Sequence, residues 1–323
     1  MTTPDTAPAT ATASIAAPRL PGETPGRFGS LGPVGLVLAG GISVQFGGAL
    51  AVTLMPRAGA LGVVALRLLV AAVVLLVVCR PRLRGHSRAD WGTVVVFGVA
   101  MAAMNGLFYQ SLDRIPLGPA VTLEVLGPLA LSVVASRRAL NLVWAALALA
   151  GVFLLSGGGG GGHGEGGGGF GALDPAGVAF ALGAGAMWAA YIVFSARTGR
   201  RFPQADGLAL AMAVGALLFL PLGLVESGAK LADPVTLGLG AAVAMLSSVL
   251  PYTLELLALR RMPASTFAIL MSLEPAIAAA AGFLILDQAL TTVQAAAIAL
   301  VVAASMGAVR TQVGRRKAAV PEA

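Results

Sequence analysis

The chain is short of the residues that soluble enzymes and metalloproteins rely on. One cysteine, Cys79, stands among 323 residues, which excludes an intramolecular disulfide and any cysteine-based metal cluster. The two histidines, His86 and His163, are both expected in loops, so a His-ligated metal site lacks its ligands and no cofactor is expected. Charge is scarce as well. Only 11% of residues are charged, against about 25% in an average soluble domain. A soluble protein of this make-up could not cover itself with polar surface. Disorder is excluded from the opposite side, because 57% of residues are hydrophobic and the mean hydropathy is +0.88. The net charge of +7 would suggest nucleic acid in a soluble chain; here the placement of the charges matters more than their sum, and no nucleic-acid partner is expected.

Long apolar runs fill the rest. Hydropathy divides the chain into ten segments, at 34–54, 59–79, 91–111, 116–135, 140–156, 174–196, 206–225, 235–259, 263–286 and 291–309. Each approaches the roughly 20 residues that one bilayer crossing needs. The expected fold is therefore an all-α polytopic membrane protein. Residues 1–33, rich in Ala, Pro and Thr and without an apolar h-region, read as a disordered cytoplasmic tail rather than a signal peptide. Residues 310–323 read as a basic cytoplasmic tail. With the N-terminus inside, the cytoplasmic segments hold 17 of the 21 Arg and Lys and the outer loops hold three, Arg57, Arg114 and Lys230. That imbalance predicts both termini in the cytoplasm. The Gly-rich stretch at 157–173, which contains His163 and Glu165, follows no strand, so it reads as a flexible external linker and not as a phosphate loop.

The linker separates two halves that repeat. Pro116 and Pro128 match Pro263 and Pro275 at an offset of 147, and Leu140, Val143, Ala145 and Ala146 match Leu290, Val293, Ala295 and Ala296 at 150. Five helices per half is an odd number, so the two units, 34–156 and 174–309, are expected with opposite orientation in the membrane. Inverted repeats are a construction of secondary transporters, whose substrate site lies near the midplane between the repeats.

Four charges fall inside spans: Arg67, Glu124, Glu255 and Glu274. Each costs about 2.5–3.5 kcal/mol at the bilayer centre on insertion scales, so such residues face a cavity or one another. An Arg–Glu pair that only fixes packing is the plain alternative, and Glu255 could pair with Arg260 or Arg261. Glu274 precedes Pro275, which should bend its helix beside a carboxylate. Polar residues also share helix faces: Asn105 with Tyr109; Trp188 with Tyr191 and Ser195; and Ser248 with Tyr252 and Glu255. Such stripes line wet cavities or join helices by hydrogen bonds. The fifth and tenth segments carry little polarity and fit a lipid-facing scaffold or a homodimer contact. Gly40, Gly41, Gly47, Gly48, Gly183 and Gly185 read as sites of close helix approach.

Several strings are familiar. Gly62–Leu68, Met104–Tyr109, Pro116–Glu124 with Gly127-Pro128-Leu129, Ala181–Ala186, Leu250–Glu255 and Met271–Ala276 resemble the drug/metabolite transporter superfamily, in particular its EamA-type members of the threonine/homoserine exporter group. The resemblance runs from about residue 34 to 309. It implies a bacterial inner-membrane exporter of small neutral amino acids or related metabolites, working by proton antiport and alternating access. Val52 stands where such proteins often carry a lysine, and Asp287 takes the place of their acidic residue at the end of the ninth helix.

On this reading Arg67 attracts the substrate carboxylate, and Glu124 or Glu274 holds the ammonium group or the coupling proton. Asn105, Tyr109, Trp188, Tyr252 and Glu255 complete the expected lining. Efflux of amphipathic drugs or organic cations is the alternative; it would use the carboxylates and aromatics and leave Arg67 idle. An enzyme is not expected, since no nucleophile–base pair falls within the spans.

Overall fold

The structure, a computed structural model, is described over residues 31–136, 139–155, 173–202, 206–259, 261–262 and 264–318. The expected N-terminal tail up to Ser30, the Gly-rich linker up to Ala172 with His163 and Glu165, and Arg137, Arg138 and Arg260 lie outside these residues. The described chain is helical throughout. Its α-helices are α1 (Leu31–Cys79), α2 (Arg88–Leu112), α3 (Leu117–Glu124), α4 (Leu126–Ser136), α5 (Ala139–Leu155) and α6 (Pro175–Gly199). They continue with α7 (Asp206–Ser227), α8 (Pro234–Ala244), α9 (Leu250–Leu259), α10 (Ala264–Met271), α11 (Glu274–Leu286) and α12 (Thr292–Ala318). The last helix thus runs nine residues beyond the expected end of its span.

Seven helices among the described residues are long and apolar enough to cross a membrane, and Leu117–Leu131 is a shorter apolar one. The first of the seven, Gly32–Cys79, has 48 residues, about twice what one crossing needs. It is two helices joined at an elbow. Gly59 there has φ 63° and ψ 169°, a conformation closed to residues with a Cβ. Residues from the end of α7 seal the elbow. The Gly62 N–H donates to Glu226 Oε2 at 2.9 Å, and the Ser227 hydroxyl donates to the Ala58 carbonyl. These are backbone groups that a helix end leaves without an internal partner.

Other ends are closed in the same economical way. Ser87 and Asp90 form a capping box at the start of α2. Asp174 caps α6 and Asp233 caps α8, each followed by a proline in the first turn. The Thr236 N–H and hydroxyl both donate to Asp233, which holds that carboxyl below its ordinary range. At the other surface Arg201 pairs with Asp90, and the His86 ring stacks on Phe202 at 4.2 Å.

The helices pack in pairs. The 60–79 limb of α1 lies on α7, α2 lies on α6 and α7, α3 on α11, and α5 on α12, while the 31–58 limb lies against α9 and α11. Gly127 and Gly185 let α4 and α6 touch backbone to backbone. A Cβ on Gly185 would stand 2.5 Å from the Glu124 carbonyl oxygen, and one on Gly127 would fall on the Gly185 carbonyl. Gly47 is similarly tight against Ser247, whereas Gly40 and Gly48 have ordinary room. Outward-facing Val78, Val134, Leu149, Leu217, Val225 and Leu284 are all more than half exposed, as expected for surfaces that meet lipid.

Candidate functional site

Three spans are interrupted, and the interruptions sit where the charges are. The segment containing Glu124 breaks at Val125, between α3 and α4. The one containing Glu274 breaks over Ser272–Leu273, and Pro275 falls in the first turn of α11. That is the bend expected from a proline that donates no N–H. Between α8 and α9 the chain makes a π-helical turn, Met245–Val249, which helical spacing alone does not announce. Such turns widen a helix by one residue and re-aim its side chains and carbonyls.

The π turn holds Arg67. Its Nη2 donates to the Ser247 carbonyl at 3.0 Å, its Nε to the Ser248 hydroxyl at 3.1 Å, and its Nη1 to the Tyr109 hydroxyl at 3.3 Å. The guanidinium also lies over the Tyr109 ring, 5.5 Å from its centroid. Arg67 is only 9% exposed, and none of its hydrogen-bond partners is a carboxylate. The ion pairs among the described residues are Arg114–Asp113 and Arg201–Asp90, both elsewhere, so a packing pair between Arg67 and a glutamate is not what the structure contains. The guanidinium is oriented by neutral partners and keeps its charge for something else.

It faces a cavity of about 670 Å³, within the range of small-molecule sites. All eight residues singled out from the sequence line it: Arg67, Asn105, Tyr109, Glu124, Trp188, Tyr252, Glu255 and Glu274. Glu124 and Glu274 are 9% and 6% exposed. Glu274 lies within electrostatic reach of Glu124 and Glu255, and Glu124 within reach of Arg67. Glu255, which could pair with Arg260 or Arg261, lines the cavity and forms no ion pair among the described residues, which include Arg261 but not Arg260. The site therefore brings one guanidinium and three carboxyl groups to the same cavity. Aromatic walls from Phe108, Trp188, Tyr191 and Phe267 complete it.

Some lining residues were not legible beforehand. Tyr191 shares a stripe with Trp188, but Ser195 of that stripe does not line the cavity. Gln45, Ser247 and Ser272 line it without having been marked. A lone glutamine in an apolar run, such as Gln45, was the available signal for the first of these.

The profile of the EamA-like transporter family matches residues 175–310. The chain is 40% identical over 280 residues to the threonine/homoserine exporter RhtA of Escherichia coli strain K12, covering 86% of this chain and 92% of that protein. It is equally similar, over 279 residues, to the threonine/homoserine exporter RhtA of Salmonella typhimurium strain SL1344. The chain belongs to the EamA-like transporter family. A crystal structure of a protein 20% identical superposes with a TM-score of 0.54, covering 88% of this chain and 98% of that one, which speaks for a shared fold. Membership in the family and the run of apolar helices make the chain a multi-pass membrane transporter, not an enzyme.

Proposed function

We propose that the chain exports small neutral amino acids of the threonine and homoserine kind across the bacterial inner membrane, by proton antiport and alternating access. The observation that carries this reading is a cavity lined by charges of both signs. A zwitterion presents a carboxylate and an ammonium group a few ångströms apart, and the cavity presents an unpaired guanidinium and three carboxyl groups. Arg67, with its fork already ordered, meets the substrate carboxylate. Glu124 and Glu274 meet the ammonium group or carry the coupling proton, and Glu255 extends the acidic wall. Asn105, Tyr109, Trp188 and Tyr252 shape the space between.

The inverted ten-span architecture is part of the same proposal. The elbow at Gly59 supplies two spans from α1. The broken segments α3–α4, α8–α9 and α10–α11 then count as one span each. The break at Val125 and the break beginning at Ser272 are 147 residues apart, the same offset as the prolines. Packing agrees with a two-fold relation: α2 on α6 answers to the π turn and α9 on the first limb of α1, and α2 on α7 to α8 on the second limb, while the second limb on α7, α3 on α11 and α5 on α12 are self-paired. With the N-terminus inside, the cavity lining extends to Ala308 and Val309, beside Arg310 at the cytoplasmic end of the last apolar span. At the other end Leu117–Val125 are all buried. In this reading the cavity reaches toward the cytoplasmic side.

The test is export from loaded vesicles across a panel of amino acids and cationic dyes, with and without a proton gradient. Threonine and homoserine should leave faster with the gradient imposed, and the dyes should not. Dye efflux without amino-acid efflux would overturn the proposal in favour of a drug transporter that leaves Arg67 idle.

A further inference from the structure

Arg67 and the glutamates account for the two charged ends of an amino acid. They do not account for a side-chain hydroxyl. We propose that Gln45 reads that hydroxyl and sets the preference for hydroxyl-bearing substrates over apolar ones of the same size. The inference rests on the amino-acid reading above and deepens it.

Gln45 is 4% exposed, lies in the apolar 31–58 limb of α1, and lines the cavity. Its position is set firmly relative to Arg67. On one side of it the Ser43 hydroxyl donates to the Leu246 carbonyl at 2.6 Å, and on the other Gly47 packs against Ser247. Both contacts are to the π turn whose Ser247 and Ser248 hold the guanidinium.

Most other amide and hydroxyl groups of the lining already make a hydrogen bond to the protein, though Asn105 commits only one of its N–H groups. Asn105 gives its amide N–H to the Met101 carbonyl at 2.8 Å, Tyr109 accepts from Arg67, and Ser272 donates to the Ala268 carbonyl at 3.0 Å. The Ser247 hydroxyl turns back to the Val243 carbonyl. The Ser305 oxygen is itself fully covered. Gln45 forms no side-chain hydrogen bond to the described residues, so both its donor and its acceptor remain for the cavity. An amide this deep is costly without a partner. A hydroxyl is the group that satisfies both halves at once, since it also donates and accepts. A site built to bond a hydroxyl discriminates strongly against analogues that lack it, whereas an apolar wall discriminates weakly.

The experiment is counterflow in proteoliposomes of the full chain, loaded with threonine and challenged with threonine, homoserine or valine outside. Valine matches threonine in shape and lacks only the hydroxyl. Wild type should prefer threonine by at least about tenfold. Gln45→Leu should bring the threonine-to-valine ratio close to one by weakening threonine far more than valine, with thermal stability in detergent unchanged; Gln45→Asn should restore part of the preference. An unchanged ratio in Gln45→Leu overturns the assignment. So does an equal slowing of both substrates, which marks Gln45 as a packing or gating residue. A wild type that carries neither amino acid overturns the amino-acid reading, and this proposal falls with it.

Discussion

The guanidinium of Arg67 shows how burial separates a structural charge from a working one. An ion pair would have cancelled it. Three neutral acceptors hold it without cancelling it, so a substrate carboxylate adds a charge-assisted bond worth about 1.5–3 kcal/mol. Arg67→Gln should therefore raise KM for carboxylate-bearing substrates by about 10- to 100-fold, read as concentration dependence of exchange. Arg67→Lys should not restore it, because a point charge cannot make the fork. Glu274 has no basic group bonded to it and stands at a broken helix. Glu274→Gln is nearly isosteric, so insertion should survive while the pH dependence of export flattens and gradient-driven efflux slows. Export with a wild-type pH profile would move the coupling role to Glu124. All eight marked residues reach one cavity because a charge or a polar stripe in lipid is expensive wherever it does not face such a space. Gln45 escaped notice for the complementary reason: it carries no charge and has no partner one turn away.

Helices tell a mixed story. The break beside Pro275 was legible, since proline donates no backbone N–H, and the offset of 147 residues points to its counterpart near Pro128. The π turn was not, because a shift from i+4 to i+5 bonding leaves no mark in Ser247-Ser248. Nor did hydropathy show which glycines are indispensable. At Gly185 the neighbour is the Glu124 carbonyl, so Gly185→Ala must push α6 away from the α3–α4 break. An overpacking cost of about 1–3 kcal/mol should appear as a lower Tm in detergent, together with slower exchange. Asp233 at the start of α8 offers a milder contrast. Its carboxyl is held below the ordinary range by the two Thr236 donors, so its stabilisation is full above the unfolded carboxylate value of about 3.9 and fades as pH falls through the folded one. Asp233→Ala should lower Tm at neutral pH, and the deficit should shrink in acid.

For the whole molecule, the distribution of basic residues carries the orientation. Single cysteines introduced in the N-terminal tail and in the 157–171 loop, with Cys79 replaced, should differ toward an impermeant thiol reagent on intact cells. The loop should label and the tail should not; the reverse pattern overturns the proposed topology. Hydropathy ends one segment at residue 54 and begins the next at 59, and the elbow lies there, where Pro56, Arg57 and Gly59 separate two limbs of one continuous helical stretch.

The elbow also bears on how the protein is made. Its seals come from Glu226 and Ser227, 164 and 169 residues later in the chain than the groups they satisfy. At translation rates of about 5–20 residues per second, the first hairpin waits roughly 8 to 35 seconds for them. During that interval the free N–H of Gly62 and carbonyl of Ala58 have to be met by water, which is on hand only if the elbow has already crossed to an aqueous face. The hairpin at the start of the chain can therefore insert early, but it cannot finish folding until seven-tenths of the polypeptide has left the ribosome.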